Sequence, residues 1–197
     1  MDRFQHTRQP DWDWWGRLWP TPGASLRQLG IEAGQSLLEV GAGNGYFALP
    51  AARITHPAPV YGLDVDDSLL DELAALARLQ GIENVVSVHG DARSLTDHLP
   101  TTVDVVLVAN TFHGVEERAA FVREAFDALV PGGAFVVVNW NAEPRERTTV
   151  AGEPRGPPTD SRLSPGETRD AVEGAAGFAL DRQVELPPYH YALTFEA

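Results

Sequence analysis

Short apolar runs alternate along the chain with stretches whose apolar positions recur every three or four residues. The runs "SLLEV" (36–40), "PVYGLD" (59–64), "NVVSVHGD" (84–91), "VDVVLVAN" (103–110) and "AFVVVNW" (134–140) predict five strands. A helical stretch from Tyr46, "DSLLDELAALARLQG" (67–81) and "EERAAFVREAFDALVPGG" (116–133) predict the helices between them. The second has acids in its first turn and Gly81 at its end, and the third is expected to stop at Pro-Gly-Gly. Strands that are apolar nearly throughout and separated by helices imply an α/β fold, a parallel sheet with helices on both faces.

Upstream, Thr21-Pro22 opens a short helix that Gly30 ends. Past Trp140 the periodicity stops. "NAEPRERTTVAGEPRGPPTD" (141–160) carries four prolines and reads as a long loop, of the kind that is functional or disordered. Ser164-Pro165-Gly166-Glu167 then supplies a cap, a first-turn proline and a capping-box glutamate for another helix. Runs at 178–186 and 189–196 close the chain as two strands. The expected organisation is one domain over 1–197, without repeats. It comprises an N-terminal lid and helix (1–30), a core (31–140), a loop (141–163) and a C-terminal helix with a strand pair (164–197).

Composition narrows the chemistry. A chain of 197 residues, 43% hydrophobic, buries a sizeable core. No run approaches the ~18 apolar residues of a membrane span. The start "MDRFQHTRQPDWD" lacks the layout of a secretion signal, so a cytoplasmic location is expected. Absence of cysteine removes disulfides, thiolate metal sites and Cys nucleophiles together. All fifteen basic residues are Arg, which removes lysine chemistry as well. The net charge of -13 opposes binding to nucleic acid. Such an acidic, lysine-free composition also fits a halophilic protein, GC-rich codon usage being the plainer explanation.

The most informative segment is "LLEVGAGNGYFALP": a strand, then Gly41, Gly43 and Gly45, then a helix. Glycines there let a ligand approach the main chain, and the helix start offers free N–H groups. The spacing is G-x-G-x-G; the dinucleotide fingerprint would need glycine where Tyr46 stands, which disfavours an NAD-linked oxidoreductase. Asp64 ends the next strand, where an acid can hold both hydroxyls of a ribose. Asp91, in "HGDA", stands beside the same crevice. It could bond a purine amino group, with the Ala92 N–H meeting a ring nitrogen. The plainer readings are a strand-to-helix turn, a helix cap at Asp64 and an exposed turn acid at Asp91. "DVDDS" (64–68) lacks the glycine and the final Glu of a calcium loop.

On "EVGAGNG", "GLDV", "GDA", "VDVVLVANTFHGV" and "LVPGGAFVVV", in that order, the chain resembles the class I S-adenosylmethionine-dependent methyltransferases of the small-molecule type. The resemblance implies a Rossmann-like, seven-stranded, mostly parallel sheet with the last strand antiparallel, and S-adenosylmethionine as cofactor. It implies that Glu39, Gly41, Gly43 and Gly45 surround the methionine part and that Asp64 holds the ribose. Val65 would pack on the adenine, Asp91 and Ala92 would read its edge, and Asn110 would sit near the methyl group.

Methyl transfer from a sulfonium is an in-line displacement that needs alignment, exclusion of water and sometimes a base. With Lys and Cys gone, His113 and His190 are the candidate catalytic bases, against readings as a helix-start residue and a packed strand residue. Tyr189 and Tyr191 are expected to point opposite to His190. Two histidines without a third ligand do not make a metal site, so none is expected. "DWDWWGRLWP" (11–20) holds four of the five tryptophans. It reads as a lid in which Trp14, Trp15 and Trp19 wall the substrate pocket, as a cover for the core edge, or as a homodimer interface. The expected function is methyl transfer to an unidentified small molecule, without nucleic-acid or membrane partners. The alternatives are a non-catalytic binder of the cofactor or its demethylated product, and a protein methyltransferase.

Overall fold

A computed structural model describes residues 12–197, and the side chains of all of these except Trp12 and Asp13. Part of the expected lid segment therefore lies outside the described residues. Two short helices come first, α1 (Trp12–Leu18) and α2 (Pro22–Gln28). The central alternation follows: β1 (Leu37–Val40), α3 (Ala48–Thr55), β2 (Val60–Asp64), α4 (Asp67–Leu79), β3 (Val85–His89), β4 (Val103–Ala109), α5 (Arg118–Asp127) and β5 (Leu129–Trp140). The last part holds a small hairpin of β6 (Thr149–Val150) and β7 (Glu153–Pro154), then α6 (Pro165–Glu173), β8 (Ala179–Leu186) and β9 (His190–Glu196).

The seven long strands form one sheet in the order β3-β2-β1-β4-β5-β9-β8. Only β9 runs against the others, pairing antiparallel with both β5 and β8. Period-two alternation sends strand side chains to two cores. Leu37, Val105, Leu107, Val136 and Val138 meet α1 to α4 on one face. Leu38, Val106, Val108, Phe135 and Val137 meet α5 and α6 on the other. Chain order reverses between β1 and β4, and this opens the ligand crevice at the strands' carboxyl ends.

Two predicted boundaries move. The third helix ends at Asp127 rather than at Pro-Gly-Gly, and Leu129–Gly133 join β5 across a register shift opposite Val103–Val105. Segment 141–163 is a folded cap. Arg162, 6% exposed, donates hydrogen bonds to the carbonyls of Pro157, Asn141 and Arg155 and to the Thr148 hydroxyl. The Ser164–Glu167 capping box at the start of α6 forms as the spacing predicts.

Candidate functional site

The glycine loop leaves β1 and enters α3. Gly41 has φ +75°, and a Cβ there would lie 2.9 Å from the Thr111 methyl. Gly45 has φ +93°, and its Cβ would meet Leu73 Cδ1 at 2.3 Å. Both positions thus exclude any side chain, by backbone angle and by space. Gly43 donates its N–H to Asp64 Oδ2 at 2.8 Å, while Asp64 Oδ1 accepts from the Asp66 N–H at 3.0 Å. Asp64 therefore ties the tip of β2 to the loop; the helix-capping role belongs to Asp66, which accepts from Ser68. Val65, beside it, is 39% exposed, one of few large apolar residues left open to solvent among those described.

Glu39 is buried beneath the loop. Burial, with the nearby Asp64 charge, pushes its carboxyl well above the usual range against an opposing Ala48 N–H, and its Oε2 has no partner. Asp91 accepts from the Arg93 backbone N–H and forms a two-pronged ion pair with the Arg93 side chain. That guanidinium holds the Asp91 carboxyl below its ordinary value. Ala92 is buried directly behind it.

On the other side of the crevice, Asn110 directly follows β4 with φ +60°, an uncommon angle for a residue with a side chain. Its amide oxygen and nitrogen are both buried without a partner, as is the Thr111 hydroxyl next to it. His113 follows, 6% exposed, with both ring nitrogens unpartnered. Burial drives its pKa down to about 4; the facing Asn139 amide opposes this and the Arg162 and Arg118 charges add to it. Arg118 donates to the His113 carbonyl at 3.1 Å.

His190 begins β9 opposite Trp140 and is 2% exposed. Its ring lies 4.2 Å from that of Trp140, 4.6 Å from Trp19 and 6.4 Å from Trp15, centroid to centroid. Burial, then the Arg162 and His113 charges, hold it well below the usual histidine range. Trp14, Trp15 and Trp19 are all buried within this chain, in the core that reaches Phe47 and Leu37. Trp15 also lies 5.9 Å from Tyr46, whose hydroxyl donates to the Trp19 carbonyl. The wall thus closes onto the glycine loop. Tyr191 points to the opposite core, as alternation predicts. Tyr189 does not oppose His190: it precedes β9, stacks on Trp140 at 6.2 Å and bonds the Thr149 carbonyl.

Three residues that sequence reasoning left unassigned belong to this site: Asn139, Arg118 and Arg162. Asn139 faces His113 and donates weakly, at 3.5 Å, to the Tyr191 hydroxyl, which Thr168 also bonds at 2.6 Å. Nothing in local spacing marks these residues. They converge only through the β5–β9 pairing and the fold of segment 141–163.

The donor set fits an adenosyl sulfonium: a side-chain-free loop, an exposed apolar residue between two acids, and buried polar atoms without partners. Comparison with known proteins agrees. The chain belongs to the S-adenosylmethionine-dependent methyltransferases: residues 38–137 match the family described as Methyltransferase domain. It is 33% identical over 139 residues to a probable S-adenosylmethionine-dependent methyltransferase of Mycolicibacterium smegmatis, covering 70% of this chain and 47% of that one. It is 31% identical over 164 residues to the ubiquinone biosynthesis O-methyltransferase of Methylobacterium nodulans, covering 79% and 64%. The chain spans 32–64% of the length of the first curated relatives it matches. A solved S-adenosylmethionine-dependent methyltransferase from Aquifex aeolicus shares the fold, with TM-score 0.76 at 23% identity, covering 89% of this chain and 88% of that one.

Proposed function

We propose that this chain transfers the methyl group of S-adenosylmethionine to a small organic acceptor enclosed by the tryptophan wall. The cofactor supplies an activated methyl on a sulfonium. Glu39 and the loop of Gly41, Gly43 and Gly45 hold its amino-acid portion, and Asp64 holds the ribose. Val65 covers the adenine, while Asp91 and the Ala92 N–H receive its edge. Asn110 orients the reacting end. Trp15 and Trp19 exclude water and border the space for a cation, while Trp14, whose ring carries the Arg155 guanidinium at 5.0 Å, backs them. His113 or His190, neutral at physiological pH, accepts the proton that the acceptor loses.

The observation that carries this reading is Asn110, held in a left-handed conformation with both amide atoms buried and unpartnered beside the glycine loop. A small acceptor agrees with the ubiquinone, menaquinone and sterol methyltransferases among the similar proteins. The strongly acidic charge argues against nucleic acid and fits a cytoplasmic, salt-tolerant protein. Among the described residues, no helix is long and apolar enough to cross a membrane. Burial of Trp14, Trp15 and Trp19 inside one chain leaves these three little to offer a homodimer. Calorimetry with S-adenosylhomocysteine, then transfer of a labelled methyl group to a metabolite extract, tests the reading. Binding without transfer would leave a non-catalytic binder; no binding would defeat the proposal.

A further inference from the structure

Two guanidiniums, Arg118 and Arg162, adjoin the far end of the crevice in a protein whose net charge is strongly negative. The chain carries 28 acidic residues against fifteen basic ones. Yet Arg118 donates to the His113 carbonyl at 3.1 Å, and the Arg162 guanidinium lies 5.3 Å from the ring of Trp140, against which His190 packs; both charges bear on His113. Arg162 is buried, and every acceptor it bonds is a carbonyl or a hydroxyl. Glu143 and Glu146 offset its charge from a distance, without an ion pair among the described residues. Arg118 spends one N–H on the His113 carbonyl, and its Nε is buried with no partner. Glu167, within electrostatic reach of Arg118, is committed to the Ser164 cap.

Burying a guanidinium without a counter-ion is costly, and an arriving anion removes much of that cost. Arginine's fork of donors suits a planar oxyanion. Arg162 also holds the 141–163 cap together, which accounts for its carbonyl partners. That role does not explain the orphaned Nε of Arg118. The groups adjoin the cofactor loop, because Thr111, two residues before His113, is the residue a Cβ on Gly41 would strike. The rings of Trp140, Trp19 and Trp15 around His190 supply the apolar surround.

Building on the methyl-transfer reading above, we infer that the acceptor is a ring-bearing carboxylate, its anionic group seated between His113 and the guanidiniums of Arg118 and Arg162. The test uses the full chain saturated with S-adenosylhomocysteine. Benzoate, benzyl alcohol and benzylamine are titrated separately and followed by tryptophan fluorescence. Benzoate is expected to bind roughly tenfold or more tightly than either of the others, and to weaken as sodium chloride is raised. Arg118→Gln is expected to erase that preference while binding S-adenosylhomocysteine as the parent does. Equal affinities, preference for the amine, absence of saturable benzoate binding, or an unchanged preference in Arg118→Gln would each overturn the inference. Failure of the parent to bind S-adenosylhomocysteine would instead overturn the methyl-transfer reading.

Discussion

Trp140 and His190 are register partners across β5 and β9, and their rings pack 4.2 Å apart with neither imidazole nitrogen hydrogen-bonded. A buried imidazole with no partner is a poor choice for stability, since desolvation of such a group costs about 1–3 kcal/mol. Phenylalanine keeps the ring packing and removes the orphaned nitrogens. His190→Phe should therefore raise stability by roughly 1 kcal/mol, read as a higher unfolding midpoint in urea. Methyl transfer should fall in the same variant if the nitrogens serve the reaction. A fully active His190→Phe would show that this ring is packing alone, and a lowered unfolding midpoint would show that its nitrogens are not a stability cost.

His113 gives a signed pH dependence. Its folded pKa of about 4 lies below the ordinary histidine value, so the unfolded chain takes up the proton first as pH falls. The stability it contributes is complete above about pH 6.5 and is lost as pH drops towards 4, by up to about 1.4 kcal/mol per pH unit. His190 shifts in the same direction and steepens the loss. His113→Gln should flatten this acid limb between pH 6.5 and 4 in denaturant unfolding curves, while a limb of unchanged slope would show that His113 is solvated.

The glycine loop and the segment after β4 interlock at Gly41 and Thr111. Gly41→Ala must accept both a left-handed angle and a 2.9 Å approach to the Thr111 methyl. A loss of about 1–2 kcal/mol is expected, with weaker binding of S-adenosylhomocysteine. Adding Thr111→Ser removes that methyl and should recover only part of the loss, because the angle remains. Full recovery would show that the angle is not a constraint.

Much of this was legible because it is local. Gly41, Gly43, Gly45 and Asp64 each end or follow an apolar run, and chain order alone brings their strand tips together. The capping box at Ser164 is likewise written within four residues. α5 ends before the sequence pattern predicts because Leu129 and Val130 continue the apolar periodicity, and only pairing with β4 turns them into strand. Tyr189 departs from the alternation because it lies in the turn before β9, where period-two geometry does not apply. Asn139, Arg118 and Arg162 carry no signal: Asn139 sits inside an apolar strand, Arg118 reads as an ordinary first-turn helix residue, and Arg162 in a proline-rich stretch looks like any surface arginine until the chain folds over it.

Glu39 ties stability and binding together with opposite signs. Its carboxyl is buried, one oxygen lacks a partner, and Asp64 repels its charge. Its folded pKa is raised, so the unfolded chain loses the proton first, and the folded state loses stability as pH climbs above about 4.5 towards the raised value. Glutamine has nearly the same shape and no charge. Glu39→Gln should therefore be more stable than the parent at pH 7, with the difference vanishing below about pH 4. If the carboxylate receives the ammonium of the cofactor, the same variant should bind S-adenosylhomocysteine roughly tenfold or more weakly by calorimetry. Gain of stability with unchanged affinity would place the ammonium elsewhere. Loss of stability at pH 7 would mean that the Ala48 N–H facing Glu39 stabilises the charge more than burial opposes it.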